Sequence, residues 1–389
     1  MKVNLIFRTA FILVATLTSL FAQSTLTWTG GGGTGNWSDP NNWGGAGIPD
    51  ATNNILIFSG STQTSTVDDI VGLTVQQIQT ASGSASFTIS GNDFTLGSAT
   101  GPSNTISVNS NLAPLVINNN ISLGVTQTWS PGTSGLFSPL NINGNISLGG
   151  FNLTTNSSGS TFAVALFGTM SGTGTYTALQ GGPTDFIGNN TSTGVTTASS
   201  IATLDIGNAI SGNLVTSGAS TLIVDGAIVN GSVDINSAQA QAFRLLHGFT
   251  VGGNATVTGT EMQWYLNSLT DDSSGTPGTD WGSLSLNGGG NLTFASASRL
   301  QFVFPSDPNS GNPFWNSSHQ WLLGDLTTGT LDYSGLGIEL PNWTTGDFSL
   351  TNIGNDLYLD FTAVPEPSTI ALFIGGLALL GFVARRQRA

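Results

Sequence analysis

The chain has 389 residues, enough for one large domain or two ordinary ones. Only 7% of residues are charged, against roughly 25% in an average soluble protein, and the formal net charge is −14. There is no cysteine, which excludes thiol catalysis, Cys-ligated metals and a disulfide framework.

The placement of charge says more than the total. Lys2 and Arg8 stand at the start, and Arg385, Arg386 and Arg388 at the end. Between Gln23 and Val364 the cations are Arg244 and Arg299, set against every acid of the chain but Glu366. Such a body repels nucleic acid, whose binding rests on Lys and Arg neutralising phosphates. Hydrophobic residues make up 38% and glycines number 53, a profile that suits strands joined by tight turns rather than charge-driven disorder.

Residues 1–22 read as a signal peptide: a positive start, an apolar run from Phe11 to Phe21, and the small Ala22 before the cut. An uncleaved N-terminal anchor is the alternative. Residues 23–60 are rich in Trp and Gly. Trp28, Trp37 and Trp43 stand among Gly, Asn and Pro, and Ile55 to Phe58 reads as a strand. These tryptophans suit a packed cap over the end of a repeat body. The alternative is a glycan-binding platform built from their faces.

Residues 61–260 carry a loose repeat of two apolar positions, a short Asn/Gly turn and two more. Ile89 and Phe94 flank one turn; Ile117 and Ile121, Ile142 and Ile146, Ile206 and Ile210, and Val251 and Ala255 flank others, and Leu286 and Leu292 repeat the pattern beyond residue 260. Alternation at period 2 aims these side chains at one face. Asn and Gly are expected to take left-handed backbone at the corners. The units recur at intervals expected to be about 25 residues or more, which fits coils of a β-solenoid interrupted by loops. Antiparallel hairpins of a β-sandwich are the alternative, because Asn-Gly also marks hairpin turns.

Ser171-Gly172-Thr173-Gly174 and Gly188-Asn189-Asn190-Thr191, followed by Gly194, resemble the autotransporter-associated β-strand repeat. Ser192 stands where that family usually has an aromatic residue, so the copy is degenerate. The resemblance implies a right-handed parallel β-helix. Such repeats often accompany the sorting signal described below.

Residues 261–362 are expected to form a β-rich C-terminal module. They hold Trp264, Trp281, Trp315, Trp321 and Trp343 and the longer strands. Trp315 joins the candidate glycan-binding residues. His247 lies in AFRLLHGF, the nearest thing to a helical turn in the body, and His319 lies beside Trp315 and Trp321. Both histidines read as structural. No nucleophile elbow, HExxH or phosphate-binding loop occurs, so no catalytic residue, metal ligand or cofactor is assigned. Paired carboxylates for glycoside cleavage would come from Asp271, Asp272, Asp280, Glu261 or Glu339. The first, second and third of these also suggest Ca²⁺, but their spacing is not that of an EF-hand loop.

At the C-terminus, Ile370 to Ala384 is an uncharged run. As a helix over 370–384 it would be about 22 Å long, short for a hydrocarbon core of about 30 Å. The arginines behind it would hold the tail on the cytoplasmic side. Pro365-Glu366-Pro367, then this run, then Arg385-Arg386, resembles the PEP-CTERM sorting signal of Gram-negative bacteria over 364–389. An ordinary tail anchor is the bland alternative. The resemblance implies an exosortase, a membrane protease-transpeptidase acting near the Pro-Glu-Pro, as partner. It also implies a transient membrane stop through the C-terminal helix, then release to the cell surface or an exopolysaccharide matrix.

The expected protein is all-β: a right-handed parallel β-helix or β-solenoid body with β-rich caps, an N-terminal signal helix and a short transmembrane helix. Its expected role is that of a non-catalytic surface or extracellular-matrix protein. The rivals are a carbohydrate-binding surface protein and, third, a polysaccharide-active enzyme.

Overall fold

The computed structural model describes residues 24–50, 54–109, 113–131, 140–156, 164–179, 185–200, 202–238, 242–295, 297–339, 345–364 and 377. The described residues are almost entirely strands and turns, with short 3-10 turns at Pro40–Trp43, Pro308–Ser310 and Pro313–Asn316. None of their helices is long and apolar enough to cross a membrane. The expected signal peptide (1–22) and C-terminal helix (370–384) lie outside the described residues.

Strands pair with strands of the next coil, in parallel. Gln127–Pro131, Leu140–Ile142 and Ile146–Ser147 make one coil; Leu153–Thr155, Val164–Leu166 and Met170–Ser171 stack on them in order. The same parallel stacking runs through the 17- and 12-stranded sheets and through the 7-stranded sheet as far as His319–Leu326. These large parallel sheets are consistent with a β-solenoid, and they are not the hairpins of an antiparallel sandwich. A parallel neighbour must be reached by a crossover, and here the rest of each coil supplies it.

Stacking places like side chains in columns. Ile89 sits on Ile117 and Ile117 on Ile142; Phe94 sits on Ile121 and Ile121 on Ile146. All six are buried. Each inward column removes a continuous apolar strip from water, at about 25 cal/mol per Å². The flanking pairs seen in sequence belong to two different corners. Ile117 and Ile121 flank one; Val251 and Ala255 flank the next, since Val251 stacks on Leu286 and Ala255 on Leu292.

The coil length also departs from expectation. Hydrogen-bonded residues on successive coils are 25 apart at Asn118 and Asn143, but 20 at Asn189 and Ala209 and 19 at Asn213 and Ser232. They are 37 apart at Asn254 and Asn291. Coils in the middle are therefore tighter than the expected spacing, and those toward the C-terminus carry loops.

The corners use glycine and asparagine in different ways. A Cβ on Gly194 would lie 2.0 Å from the Gly174 carbonyl oxygen, and one on Gly212 would lie 2.0 Å from that of Gly194. These glycines are required by coil-to-coil approach. Asparagine does not take left-handed backbone as expected. Among the described residues the non-glycine positive-φ positions are Gln63, Ser200 and Ala297. Instead the asparagine side chain bridges coils. Asn120 Oδ1 accepts from Asn145 N at 2.8 Å, and Asn145 Oδ1 from Thr169 N at 2.9 Å. Asn254 Oδ1 accepts from Asn291 N at 2.9 Å, and Asn291 Oδ1 from Thr330 N at 3.0 Å. At a corner the strand ladder stops, and an amide oxygen takes the backbone N–H that would be left unpaired.

The stacking continues across residue 260. Glu261–Tyr265 pairs in parallel with Phe243–Leu245 before it and Ser298–Val303 after it. The change of topology comes later. His319–Leu326 pairs in parallel with Ser283–Leu286 on one side and antiparallel with Asp356–Ala363 on the other. Gly346–Ile353 completes an antiparallel hairpin with Asp356–Ala363. AFRLLHGF, the nearest thing to a helical turn in the sequence of the body, forms parts of the strands Phe243–Leu245 and Gly248–Val251.

Candidate functional site

The four candidate glycan-binding tryptophans are buried. Trp28 and Trp37 are 0% exposed, and Trp43 and Trp315 are 1% exposed. Trp43 packs edge-on against Trp28 at 5.0 Å and Trp37 at 5.9 Å, with Phe58 at 6.0 Å. Trp28 Nε1 donates to Gln63 O, Trp37 Nε1 to Thr66 Oγ1 and Trp43 Nε1 to Trp37 O. Trp315 packs against Phe361 at 5.1 Å and Phe304 at 5.1 Å. A sugar stacks on an open ring face, and burial leaves these four with none. Pro365, Glu366, Pro367, Arg385 and Arg386 lie outside the described residues.

The structure does bring polar groups together elsewhere. An open cleft of about 600 Å³ is lined by Asp271, Asp272, Ser273, Ser318, His319, Gln320, Ser349, Asp360, Phe361 and Thr362. Its floor is the outer face of the terminal antiparallel sheet. Gln320 pairs with Asp360, and Asp360 with Ser349, across three adjacent strands. Alternation turns these residues outward, while Trp321, Phe348 and Phe361 turn inward to the core.

The wall is the loop after Glu261–Tyr265. Asp272 N donates to Gln320 O at 3.0 Å, and Leu322 N donates to Asp272 Oδ1 at 3.1 Å. Asp271 clamps His319, with Nδ1 and Oδ2 2.7 Å apart. The other ring nitrogen of His319 faces Phe314 O at 2.6 Å, and the ring stacks on Phe314 at 3.7 Å. His319 therefore has both nitrogens engaged and one face covered. His247 meets Asp225 on an exposed part of another coil.

The carboxylates differ in how fully they are served. Asp271 Oδ1 accepts from Ser273 N and Oγ and from Ser274 Oγ. Burial opposes ionisation of Asp271, but the bonds from His319 and Ser273 outweigh it and hold its carboxyl below the usual range. Asp360 accepts from Gln320 Nε2 at 2.7 Å and from Thr351 Oγ1. Asp272 is exposed at its edge, and only Oδ1 has a protein donor among the described residues. Partial desolvation pushes the Asp272 carboxyl up; the Leu322 N–H draws it back, and Asp271 and Asp360 add repulsion.

The sequence grouped Asp271 and Asp272 with Asp280, took His319 separately, and missed Asp360, Gln320, Ser349 and Thr362. The alternation of NDLYLDF was the available signal, since it sets Asp360 opposite Leu359 and Phe361. Asp280 lies apart, closing its own loop through Ser268 Oγ and Thr276 N. Glu261 stacks beside Arg299, and Glu339 N bonds to Leu300 O. The described residues contain no group of three or more His, Asp or Glu arranged to hold a metal ion.

The family model that matches this chain is the PEP-CTERM protein-sorting motif, over residues 363–388. That span contains Pro365, Glu366, Pro367, Arg385 and Arg386. No curated protein and no solved structure gives a significant match. The chain thus carries a sorting signal of the kind that exosortase-type enzymes recognise, which implies export and sorting to the cell surface.

Proposed function

We propose that this is an exported, non-catalytic surface or matrix protein whose solenoid body serves as a scaffold or spacer beside exopolysaccharide. The observation that carries the reading is the sorting motif at 363–388, which begins on the last residue of the strand Asp356–Ala363. A folded body of stacked coils is thereby joined directly to an address.

In this reading residues 1–22 are a cleaved signal peptide and 370–384 a transient membrane helix in a Gram-negative bacterium. Residues 23–60 cap a right-handed β-helix, and the 171–194 segment is a degenerate autotransporter-associated repeat within it. The aromatic packing of Trp28, Trp37 and Trp43 supports a cap, because a bare end coil would expose its apolar edge. The engaged state of Asp271, His319 and Asp360 supports a role without turnover.

Cell fractionation with mass spectrometry of the mature C-terminus tests the reading. The expected result is protein outside the cell, ending near Pro365. Full-length chain ending at Ala389 and held in the membrane fraction would overturn it. A second reading, carbohydrate binding, is favoured by the polar cleft rather than by the tryptophans.

A further inference from the structure

We infer that the cleft between the 271–273 loop and the terminal antiparallel sheet binds one unit of a neutral saccharide, with Asp272 as the central acceptor of its hydroxyl protons. The inference deepens the exopolysaccharide association proposed above, and export does not depend on it. The cleft, at about 600 Å³, falls within the roughly 300–1,000 Å³ of small-molecule sites.

The identity of the ligand follows from what remains unsatisfied. Asp271 and Asp360 already accept at both oxygens. Asp272 Oδ2 has no donor among the described residues, although its partner oxygen takes Leu322 N. The hydroxyls of Ser349 and Thr362 stand exposed on the floor and make no hydrogen bond to described residues. The open set therefore includes one carboxylate oxygen, the Gln320 amide oxygen and two hydroxyls. A sugar hydroxyl matches both kinds, because it donates and accepts in the same place.

The charge of the cleft excludes other classes. No Lys or Arg lines it, and His319 is committed to Asp271 and Phe314 O. A uronic acid, sulfated sugar or phosphate would meet three carboxylates and no free cation. Phe361 is 1% exposed, so recognition proceeds through hydrogen bonds without ring stacking. A neutral hexose oligomer is the class that places hydroxyl donors on Asp272 without adding repulsion.

The two histidines supply the test. With the full chain labelled at histidine, the ring signals of His319 and His247 are followed during titration with neutral hexose oligosaccharides, uronic-acid oligosaccharides and, separately, calcium chloride. The expected result is a saturable shift of His319 with a neutral oligosaccharide, with His247 unmoved. Asp272→Asn should weaken that binding about tenfold or more, since a bond to a charged group is lost, while the starting His319 signal keeps its position. Ser349→Ala should weaken it less. Silence with every neutral oligosaccharide, equal binding of the uronic acids, or a His319 shift with calcium alone would overturn the inference. Because the assay uses purified protein, a negative result leaves the sorting reading standing, and a failure of sorting leaves the binding result untouched.

Discussion

The middle of the stack and its two ends solve the same problem with different residues. From Leu140 to Val257 the coils hold no tryptophan. Each coil there is completed by the next, through parallel ladders, glycine corners and asparagine bridges. Toward the two ends of the described stack, large side chains do more of the closing. Trp28, Trp37, Trp43, Trp264, Trp281, Trp315 and Trp321 are all buried there, and each indole N–H has an acceptor. Repetition stabilises the middle, and single-use packing stabilises the ends.

The comparison breaks most readily at an end. Trp43→Ala should lose about 3–5 kcal/mol, the usual loss for a buried tryptophan. Hydrogen exchange should then show protection lost first in Ser24–Trp28 and Asn54–Phe58, with the middle coils still protected. Uniform loss along the chain would show that the end is not a separate unit.

In the middle the sensitive points are the corners. Gly212→Val should cost about 1–3 kcal/mol, because its Cβ would meet the Gly194 carbonyl oxygen, backbone against backbone. Gly226 makes the control: its φ is +78° with nothing within 4 Å of an added Cβ. Gly226→Ala should cost about 1–2 kcal/mol, through backbone conformation alone. Denaturant unfolding of both variants separates the two roles of glycine. Asn213→Ala should cost about 1 kcal/mol by the same measurement, since Ser232 N loses its acceptor.

The remaining effect is electrostatic and belongs to the N-terminal end. Asp68 is fully buried, and burial pushes its carboxyl up to about 6; the Ile70 N–H opposes this and Asp69 adds to it. An unfolded aspartate titrates near 3.9, so between about pH 6 and pH 4 the folded chain holds a proton the unfolded chain lacks. Stability should therefore rise as pH falls from 7 to 4. Thermal melts should show this rise in the native chain and a flatter profile in Asp68→Asn.

The apolar columns were legible in the sequence because they depend on local alternation. Ile89, Phe94, Ile117 and Ile121 read as inward, and they are. Strand partners were less legible, since stacking joins residues 18 apart at Thr203 and Thr221 but 40 apart at Leu284 and Gly324, at intervals that loops change. The role of asparagine was misread, because a turn-former and a coil-bridging amide look alike in sequence. Trp28, Trp37 and Trp43 were legible as packing residues, but the open-platform alternative stayed in play because burial depends on the loop that folds over them. The cleft was the least legible part. Asp272 and Asp360 meet only because a loop after one strand crosses a hairpin formed much later in the chain.

Val364 N donates to Thr345 O at 2.7 Å, one residue before Pro365. The ordered body thus reaches the edge of the sorting tripeptide without a spacer. Asp356–Ala363, eight residues long, is hydrogen-bonded to a neighbour on both sides. A pull on the chain along that strand loads those bonds in shear, many at once, instead of unzipping them in turn. For a load applied along that strand, separation therefore requires many of these bonds to break together.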